Sequence, residues 1–245
     1  MQIQRAGVRG IGATQQHSIN ALAKTNRALR SILEQLSTGL RINRASDDAA
    51  GLAISEELRS QIRGFKMASN NVSDAISALN VADSAGTEVT SMVQRQRELA
   101  IQARNDTLTD EQREQLDVEY QQLTTEINRI TEATQFNTQP VANGEGLGSG
   151  EAQVQAGANE GDQVTMPQID MSGVTLQIDG TSIATREGAA QAMSRLDGAL
   201  DTLNRERSQI GAMTNRLQST QYNLAVSAIN TQAAESVIRD QDMAQ

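Results

Sequence analysis

Apolar residues recur at alternating steps of three and four over four stretches of this sequence, and this repeat constrains the fold more than any other feature. The stretch at 46–104 is far longer than an ordinary globular helix. At about 1.5 Å per residue, a helix of that length spans roughly 90 Å. The spacing predicts a helix that buries one narrow seam, as coiled coils do. The seam contains Leu58, Ile62, Phe65, Val72, Ile76 and Leu79, followed by Ala82, Val89, Val93 and Ala100.

Two further helices are predicted at about 110–133 and 187–240. Thr109, followed by Asp110 and Glu111, is typical of a helix N-cap. The chain contains two Tyr, two Phe and no Trp, so Ala, Leu, Ile and Val must fill most of its interior. Small and aliphatic side chains suit long helices that pack closely, antiparallel to one another.

The segment at 140–186 differs from the rest of the chain. Glycine is frequent there, and short runs alternate apolar and polar residues, which predicts three or four short strands. Residues 159–162 have the composition of a hairpin turn. The predicted fold class is therefore mainly α: an elongated antiparallel long-helix bundle or coiled coil with a small antiparallel β-hairpin insertion.

The fourth apolar repeat lies before the long helix, and we call it the N-terminal stripe. A helix with one apolar face needs a partner, because most helical stability comes from packing. The stripe is therefore predicted to be a packing surface. Its members are Ile19, Leu22, Leu29, Leu33, Leu36 and Leu40.

A residue that can end a helix, a polar turn and a group of helix-capping residues lie between this stripe and the long helix. Gly39 can adopt the left-handed conformation that ends a helix. Ser46, Asp47 and Asp48 can accept hydrogen bonds from the first N–H groups of the next helix, and Asn43 lies in the turn. An acid–base or metal site at the two aspartates is the alternative. Capping is the better interpretation, because both residues precede a long helix.

The polar run QRQRELAIQ at 94–102 places two guanidinium groups and a carboxylate within about one helical turn. One interpretation is a solvated face whose local ion pairs contribute about 0.2–0.5 kcal/mol each. The other is a polar contact between subunits, because arginine can bridge carboxylates across an interface. Periodicity alone leaves both interpretations open.

Residue types that commonly act in catalysis or bind metals are scarce in this chain. The chain has no Cys and a single His, His17, so we predict no catalytic residue, no cofactor and no metal site. The net charge is −9 and the charges are interleaved, so no nucleic-acid partner is predicted. The sequence has neither a run of about 18 apolar residues nor a cleavable apolar signal, so no membrane partner is predicted.

Several blocks of this sequence resemble bacterial flagellin, the subunit of the flagellar filament. They occur in the family's order and cover most of the chain. The blocks are RINRASDDAAGLAIS at 41–55, QRQRELAIQ at 94–102, TTEINRI at 124–130, TQFN at 134–137, ALDTLNRERSQIGAMTNRL at 199–217 and NTQAAESVIRDQDMA at 230–244.

The resemblance implies a filament architecture. Residues 1–43 would form the N-terminal half of an inner helical domain that lines the lumen, and residues 44–245 a core rod domain. The turn between them would be a hinge. The chain would be exported through the flagellar channel and would self-assemble outside the cell into a helical homo-oligomer used for swimming. The implied partners are the flagellar export machinery and the cap and junction proteins.

The resemblance also implies recognition by host flagellin receptors. The family's QRxRELAxQ segment is a filament contact and is read by the vertebrate innate immune receptor for flagellin. Residues 35–55 match the segment read by the plant receptor. The first implication carries over to Gln94, Arg95, Arg97, Glu98, Leu99 and Gln102, with Glu119 on the neighbouring helix.

Two departures from the family pattern lead to further expectations. The usual apolar, Asn-rich start is not found, and the usual C-terminal inner-domain helix is expected to be absent. Outer domains are expected to be absent as well, because the segment between Pro140 and the C-terminal helix is short. The export chaperone reads the tail that follows that helix, so binding of the chaperone is put in doubt.

Three alternatives to a filament subunit remain at this point. A hook–filament junction protein belongs to the same superfamily, but the QRQRELAIQ run disfavours it. An enzymatic insertion, such as a metalloprotease, is disfavoured because no HExxH-type pair occurs. The third alternative is a generic coiled-coil adaptor.

Overall fold

The computed structural model describes residues 3–145 and 152–241. Within this part of the chain, the predicted mainly α class with small antiparallel β-hairpins is confirmed. The helices predicted at 46–104, 110–133 and 187–240 are present, with ends displaced by three residues or fewer. The elements are α1 (Ile3–Thr38), α2 (Ala49–Ala103), α3 (Asp110–Ala133), β1 (Gln135–Phe136), β2 (Gln139–Pro140), β3 (Gln153–Gln155), β4 (Gln163–Thr165) and α4 (Arg186–Arg239).

The chain divides into two compact units. The terminal unit combines Met1–Arg63 with Ala228–Gln245, and the central unit is Gly64–Ser227. Both α2 and α4 contribute residues to each unit. The predicted domain boundary after residue 43 is a different division, and it stays a prediction.

In the central unit, α2 runs antiparallel to α4. Asp83 of α2 pairs with Arg207 of α4, with 2.9 Å between Oδ1 and Nε. Further along α2, Arg97 pairs with Asp197, which lies earlier in α4, with 2.7 Å between Nε and Oδ1. The partners therefore occur in opposite order along the two helices.

The core of the central unit lies where α2, α3 and α4 meet. Tyr120 of α3 is fully buried, and its hydroxyl hydrogen-bonds Thr181 Oγ1 at 2.8 Å. Burial raises the pKa of Tyr120, so the phenol stays neutral and its hydrogen bond satisfies a buried polar group. The predicted seam of α2 and one face of α4 supply much of the remaining core: Val72, Leu79, Val89 and Val93 from α2, and Leu196, Leu203, Ile210 and Leu217 from α4.

Two short hairpins follow α3. The first joins β1 to β2 through Asn137 and Thr138, whose φ angles of 50° and 66° are typical of a type I′ turn. The second joins β3 to β4, with Val154 opposite Val164. Residues 146–151, which belong to the predicted β element, lie outside the described residues.

The prediction of strands in the last part of the β element is wrong, because residues 173–183 form turns and irregular backbone. Side chains of α3, and not a partner strand, accept hydrogen bonds from backbone N–H groups of this segment. Asn128 Oδ1 accepts from the backbone N–H of Gly173 at 2.9 Å, and Asp117 Oδ1 accepts from that of Ile183 at 2.6 Å. Burial of alternate side chains explains the strand-like pattern; the buried residues are Leu176, Ile178 and Ile183.

Candidate interface surfaces

The turn between α1 and α2 begins at a left-handed glycine and ends at a helix cap. Gly39 has φ 71°, and its N–H donates to the Gln35 carbonyl at 2.8 Å. Asp48 caps α2, because its Oδ1 accepts from Gly51 N at 2.9 Å. A Cβ on Gly51 would lie 2.5 Å from Asp48 Oδ2 and 2.8 Å from Ile42 Cδ1. The cap therefore packs too closely for any side chain at position 51.

The other predicted turn residues have different roles. Asp47 Oδ2 accepts from the backbone N–H groups of Asn43, at 3.2 Å, and Arg44, at 2.9 Å. This carboxylate therefore stabilises the turn and does not cap α2. Ser46 is exposed and makes no hydrogen bond within the described part of the chain.

The end of α4 closes against this turn within the terminal unit. The backbone N–H of Arg41 donates to the Arg239 carbonyl at 2.7 Å, and its guanidinium donates to the Ile238 carbonyl at 2.6 Å. Arg239 Nη1 lies 2.8 Å from Glu56 Oε1. The hydrogen bond from Arg239 lowers the pKa of Glu56. Both ends of the chain therefore contribute to one structural unit.

The N-terminal stripe lies on the surface of α1. Its large apolar side chains between Ile19 and Leu36 are 53% to 66% exposed, and Ile32, which is 51% exposed, lies beside them. Leu40 is half-buried. Soluble monomers rarely expose so large a contiguous apolar surface, so this face of α1 is a candidate interface.

The polar run on α2 forms ion pairs with α3. Arg95 Nη2 lies 2.9 Å from Glu119 Oε1 on α3, and Nη1 lies 3.0 Å from Glu98 Oε2 one turn along α2. The hydrogen bond that Arg95 donates to Glu119, followed by the one it donates to Glu98, raises the pKa of Arg95. All three side chains remain at least 44% exposed, so a partner protein can reach them.

Three further residues of the predicted contact set lie near these ion pairs along α2. Arg97 points to α4, where it pairs with Asp197. Gln94 and Gln102 are exposed. The structure therefore brings most of the predicted set to accessible positions, but it uses the arginines to join helices of the same chain.

Leu99 is the exception, because its side chain is 1% exposed and packs in the core. Nearby Gln96 is also buried, and its Nε2 donates to Thr124 Oγ1 at 2.8 Å and to the Tyr120 carbonyl at 3.2 Å. Both α3 and α4 pack against α2 at this level. A larger part of the circumference of α2 is therefore buried than the single seam that the sequence predicts. Leu99 cannot offer its side chain to a partner in this conformation, and we exclude it from the proposed contact set.

Arg113 is a structural residue that sequence reasoning missed. Its side chain is 9% exposed and lies 2.8 Å from Asp110 Oδ1. It also donates to the carbonyls of Ala103, at 2.9 Å, and Asn105, at 3.1 Å. It therefore satisfies carbonyls at the end of α2 and fixes the start of α3. Arg113 lies seven residues before Tyr120, so the helical repeat places both side chains on the buried face of α3. This spacing was the sequence signal that could have identified Arg113 as a structural residue.

A partly buried carboxylate lies in the central unit, away from the polar run. Glu206 Oε2 is buried without a hydrogen-bond partner in the described part of the chain. Burial, followed by the negative charge of Asp170, raises the pKa of Glu206. Within the described residues, no cluster of three or more metal-ligating side chains occurs. No helix in that part of the chain is long and apolar enough to cross a membrane.

Comparisons with protein families match both ends of the chain. The model of the bacterial flagellin N-terminal helical region matches residues 13–145. The model of the bacterial flagellin C-terminal helical region matches residues 193–245. The two matches include α2, α3 and most of α4.

Individual relatives agree with these family matches. The flagellin of Halalkalibacterium halodurans is 45% identical over 214 residues, which cover 86% of this chain and 78% of the relative. The flagellar filament 31.3 kDa core protein of Treponema maltophilum is 41% identical over 241 residues, covering 93% and 84%. The crystal structure of Bacillus cereus flagellin matches with a TM-score of 0.58 and 30% identity, over 68% of this chain and 94% of that chain.

Proposed function

Because this chain belongs to the bacterial flagellin family, we propose that its N-terminal stripe becomes buried against other copies when the filament assembles. The chain is a subunit of the bacterial flagellar filament, and its function is structural. The filament places it in the extracellular flagellum. The family is structural and not enzymatic, so assembly is the activity that needs a physical explanation.

The exposure of the N-terminal stripe is the observation that supports this proposal. Five of its leucine and isoleucine side chains are more than half exposed on one face of α1. Burying one such side chain contributes about 1.5–3 kcal/mol, and in an isolated subunit this energy is not recovered. Contacts that are offset between identical chains do not close, so they generate a helical polymer. Burial of the stripe can therefore drive filament growth.

Replacing Leu22 and Leu29 together by glutamine is expected to raise the subunit concentration needed for filament growth more than tenfold. Each substitution forfeits about 1.5–3 kcal/mol of burial in the filament, while both side chains are already exposed in the subunit. Electron microscopy and sedimentation of the full chain in polymerising salt measure the effect. Circular dichroism verifies that the variant is folded.

The matched control replaces Asn20 and Ser31 by glutamine. Both residues are exposed on α1, and a rotation of 100° per residue places them opposite the stripe. This variant is expected to assemble like the wild type. Normal filament growth by the Leu22 and Leu29 variant would contradict the proposed role of the stripe, as would equal loss of growth in the control.

We also propose that the accessible part of the polar run contacts neighbouring subunits and the vertebrate receptor for flagellin. The support is its exposed, fixed charge pattern: Arg95 is held between Glu98 and Glu119, so it presents a defined surface and not a mobile chain. The proposed contact set is Gln94, Arg95, Arg97, Glu98, Gln102 and Glu119.

Arg95→Ala is expected to weaken receptor binding at least tenfold while leaving the unfolding temperature nearly unchanged, because exposed ion pairs contribute little to stability. Binding to the isolated receptor ectodomain and thermal unfolding measure the two effects. Arg129→Ala is the control, since Arg129 forms an exposed pair with Glu126 outside the run. Unchanged binding by the Arg95 variant would remove the run from the receptor contact.

Export through the flagellar channel as an unfolded chain, and contact with the cap and junction proteins, complete the proposal. The family supports these partners, and one property of the sequence is consistent with export. The chain has no Cys, so no disulfide has to be reduced before it can unfold.

A further inference from the structure

The charge of the first 40 residues is opposite to that of the rest of the chain. Residues 1–40 contain five of the 21 lysine and arginine residues but one of the 30 acidic residues. The segment is therefore net positive, although the whole chain carries −9. Most of it is the single helix α1. Positive charge and the exposed N-terminal stripe thus occur on the same element.

The described cations of α1 form a row on the side away from the stripe. Lys24, Arg27 and Arg30 follow one another at steps of three, and all three are exposed. At 100° per residue, Lys24 and Arg27 lie opposite the centre of the stripe, while Arg30 lies at its flank. This arrangement, with leucine and isoleucine on one face and cations on the other, is typical of a helix that lies in a membrane surface.

The cations of this row are not neutralised by the protein. Lys24, Arg27 and Arg30 form no ion pair with any described residue. The single carboxylate of the helix, Glu34, is paired with Arg44, with 2.9 Å between Oε1 and Nη2. The row therefore keeps its full charge for an external anionic surface.

We propose that α1 of the free subunit binds reversibly to the surface of an anionic phospholipid bilayer. The prediction of no membrane partner was based on the lack of a spanning segment and an apolar signal, and neither is needed for binding at the surface. The stripe would enter the boundary between headgroups and acyl chains, and the cations would attract the anionic headgroups. With the stripe inserted, Lys24 and Arg27 lie on the outer side of the helix, where attraction over a Debye length of about 10 Å at 0.1 M salt still draws them to anionic headgroups. A second helix packed on the stripe would give them no such attraction. The remainder of the chain is net negative and is repelled overall by such a surface, so the contact is assigned to α1.

This interaction is separate from filament assembly, because the stripe can be occupied by lipid or by other copies but not by both. Each cation near an anionic membrane contributes about fivefold in affinity at low salt. Screening weakens the attraction, because the Debye length falls from about 10 Å at 0.1 M salt to about 3 Å at 1 M. Binding is therefore expected to depend on anionic lipid and on low ionic strength.

The test is co-sedimentation of the dissociated full chain with two kinds of vesicle. One kind is an equimolar mixture of phosphatidylcholine and phosphatidylglycerol, and the other is phosphatidylcholine alone. Wild-type protein is expected to bind the mixed vesicles and to be released by 1 M salt. Replacing Lys24, Arg27 and Arg30 by glutamine is expected to weaken binding at least tenfold, and the Leu22 and Leu29 glutamine variant is expected to bind weakly as well.

The matched control replaces Arg104, Arg195 and Arg216 by glutamine, which removes the same charge from exposed residues of the central unit that form no ion pair with described residues. This variant is expected to bind like the wild type. Absence of wild-type binding, equal weakening in the control, or undiminished binding of the Lys24, Arg27 and Arg30 variant would each overturn the proposal. Filament growth is measured in parallel. If the charge variant lost filament growth but still bound the mixed vesicles, the basic row would be a contact between subunits, which would also overturn the proposal.

Discussion

Replacing Leu99 by alanine is expected to lower the free energy of unfolding by about 2–5 kcal/mol. The side chain is 1% exposed in the core of the central unit, so its loss removes buried apolar contacts and leaves a cavity. Chemical denaturation followed by circular dichroism measures this change.

Ile101→Ala is the matched control, since Ile101 lies two residues away on the same helix and is 47% exposed. The free energy of unfolding is expected to change by less than about 1 kcal/mol, because surface substitutions usually have small effects. Equal stability of the two variants would show that Leu99 is not a core residue in solution. That result would return Leu99 to the contact set that the flagellin resemblance implies.

Arg113→Met is expected to cost about 2–4 kcal/mol of stability, the second large effect. The substitution keeps much of the apolar volume but removes the charged donors that bind the carbonyls of Ala103 and Asn105. Hydrogen bonds from a charged group contribute about 1.5–3 kcal/mol, and the buried Ala103 carbonyl, left without this donor, adds a desolvation cost. Thermal and denaturant unfolding measure the loss.

Arg129→Met on the same helix provides the control. Arg129 also pairs with a carboxylate three residues earlier, Glu126, but its side chain is 63% exposed. Such exposed pairs contribute little to stability, so the control is expected to be nearly neutral. If the two variants lose similar stability, the ion pair and not the buried carbonyl contacts of Arg113 accounts for the effect.

The sequence was sufficient to predict the helices because their signals are local. A repeat of three and four residues places Val72 and Leu79 on one face, whatever lies opposite them. The N-cap at Thr109 is also local, since the capping box involves Gln112 three residues later. Such features depend on neighbours along the chain and can be inferred without knowing the fold.

Features that depend on distant partners could not be inferred in this way. The strand-like residues at 173–183 form a loop because Asn128 and Asp117, far away in sequence, accept their backbone hydrogen bonds. The burial of Leu99 requires that two helices cover α2 at the same level. Among the candidate interface residues, the sequence therefore indicated chemistry and helical position, but the structure was needed to separate exposed from buried side chains.

The contact between the α1–α2 turn and the end of α4 has a consequence for the order of folding. Arg41 and the Ile238 carbonyl hydrogen-bond across a sequence separation of 197 residues. The entropic cost of closing a loop rises with the length of flexible chain, and contacts between distant residues slow folding. Almost the whole chain must therefore be synthesised before the terminal unit can close. Until then, the turn after α1 lacks the hydrogen bonds that the end of α4 supplies.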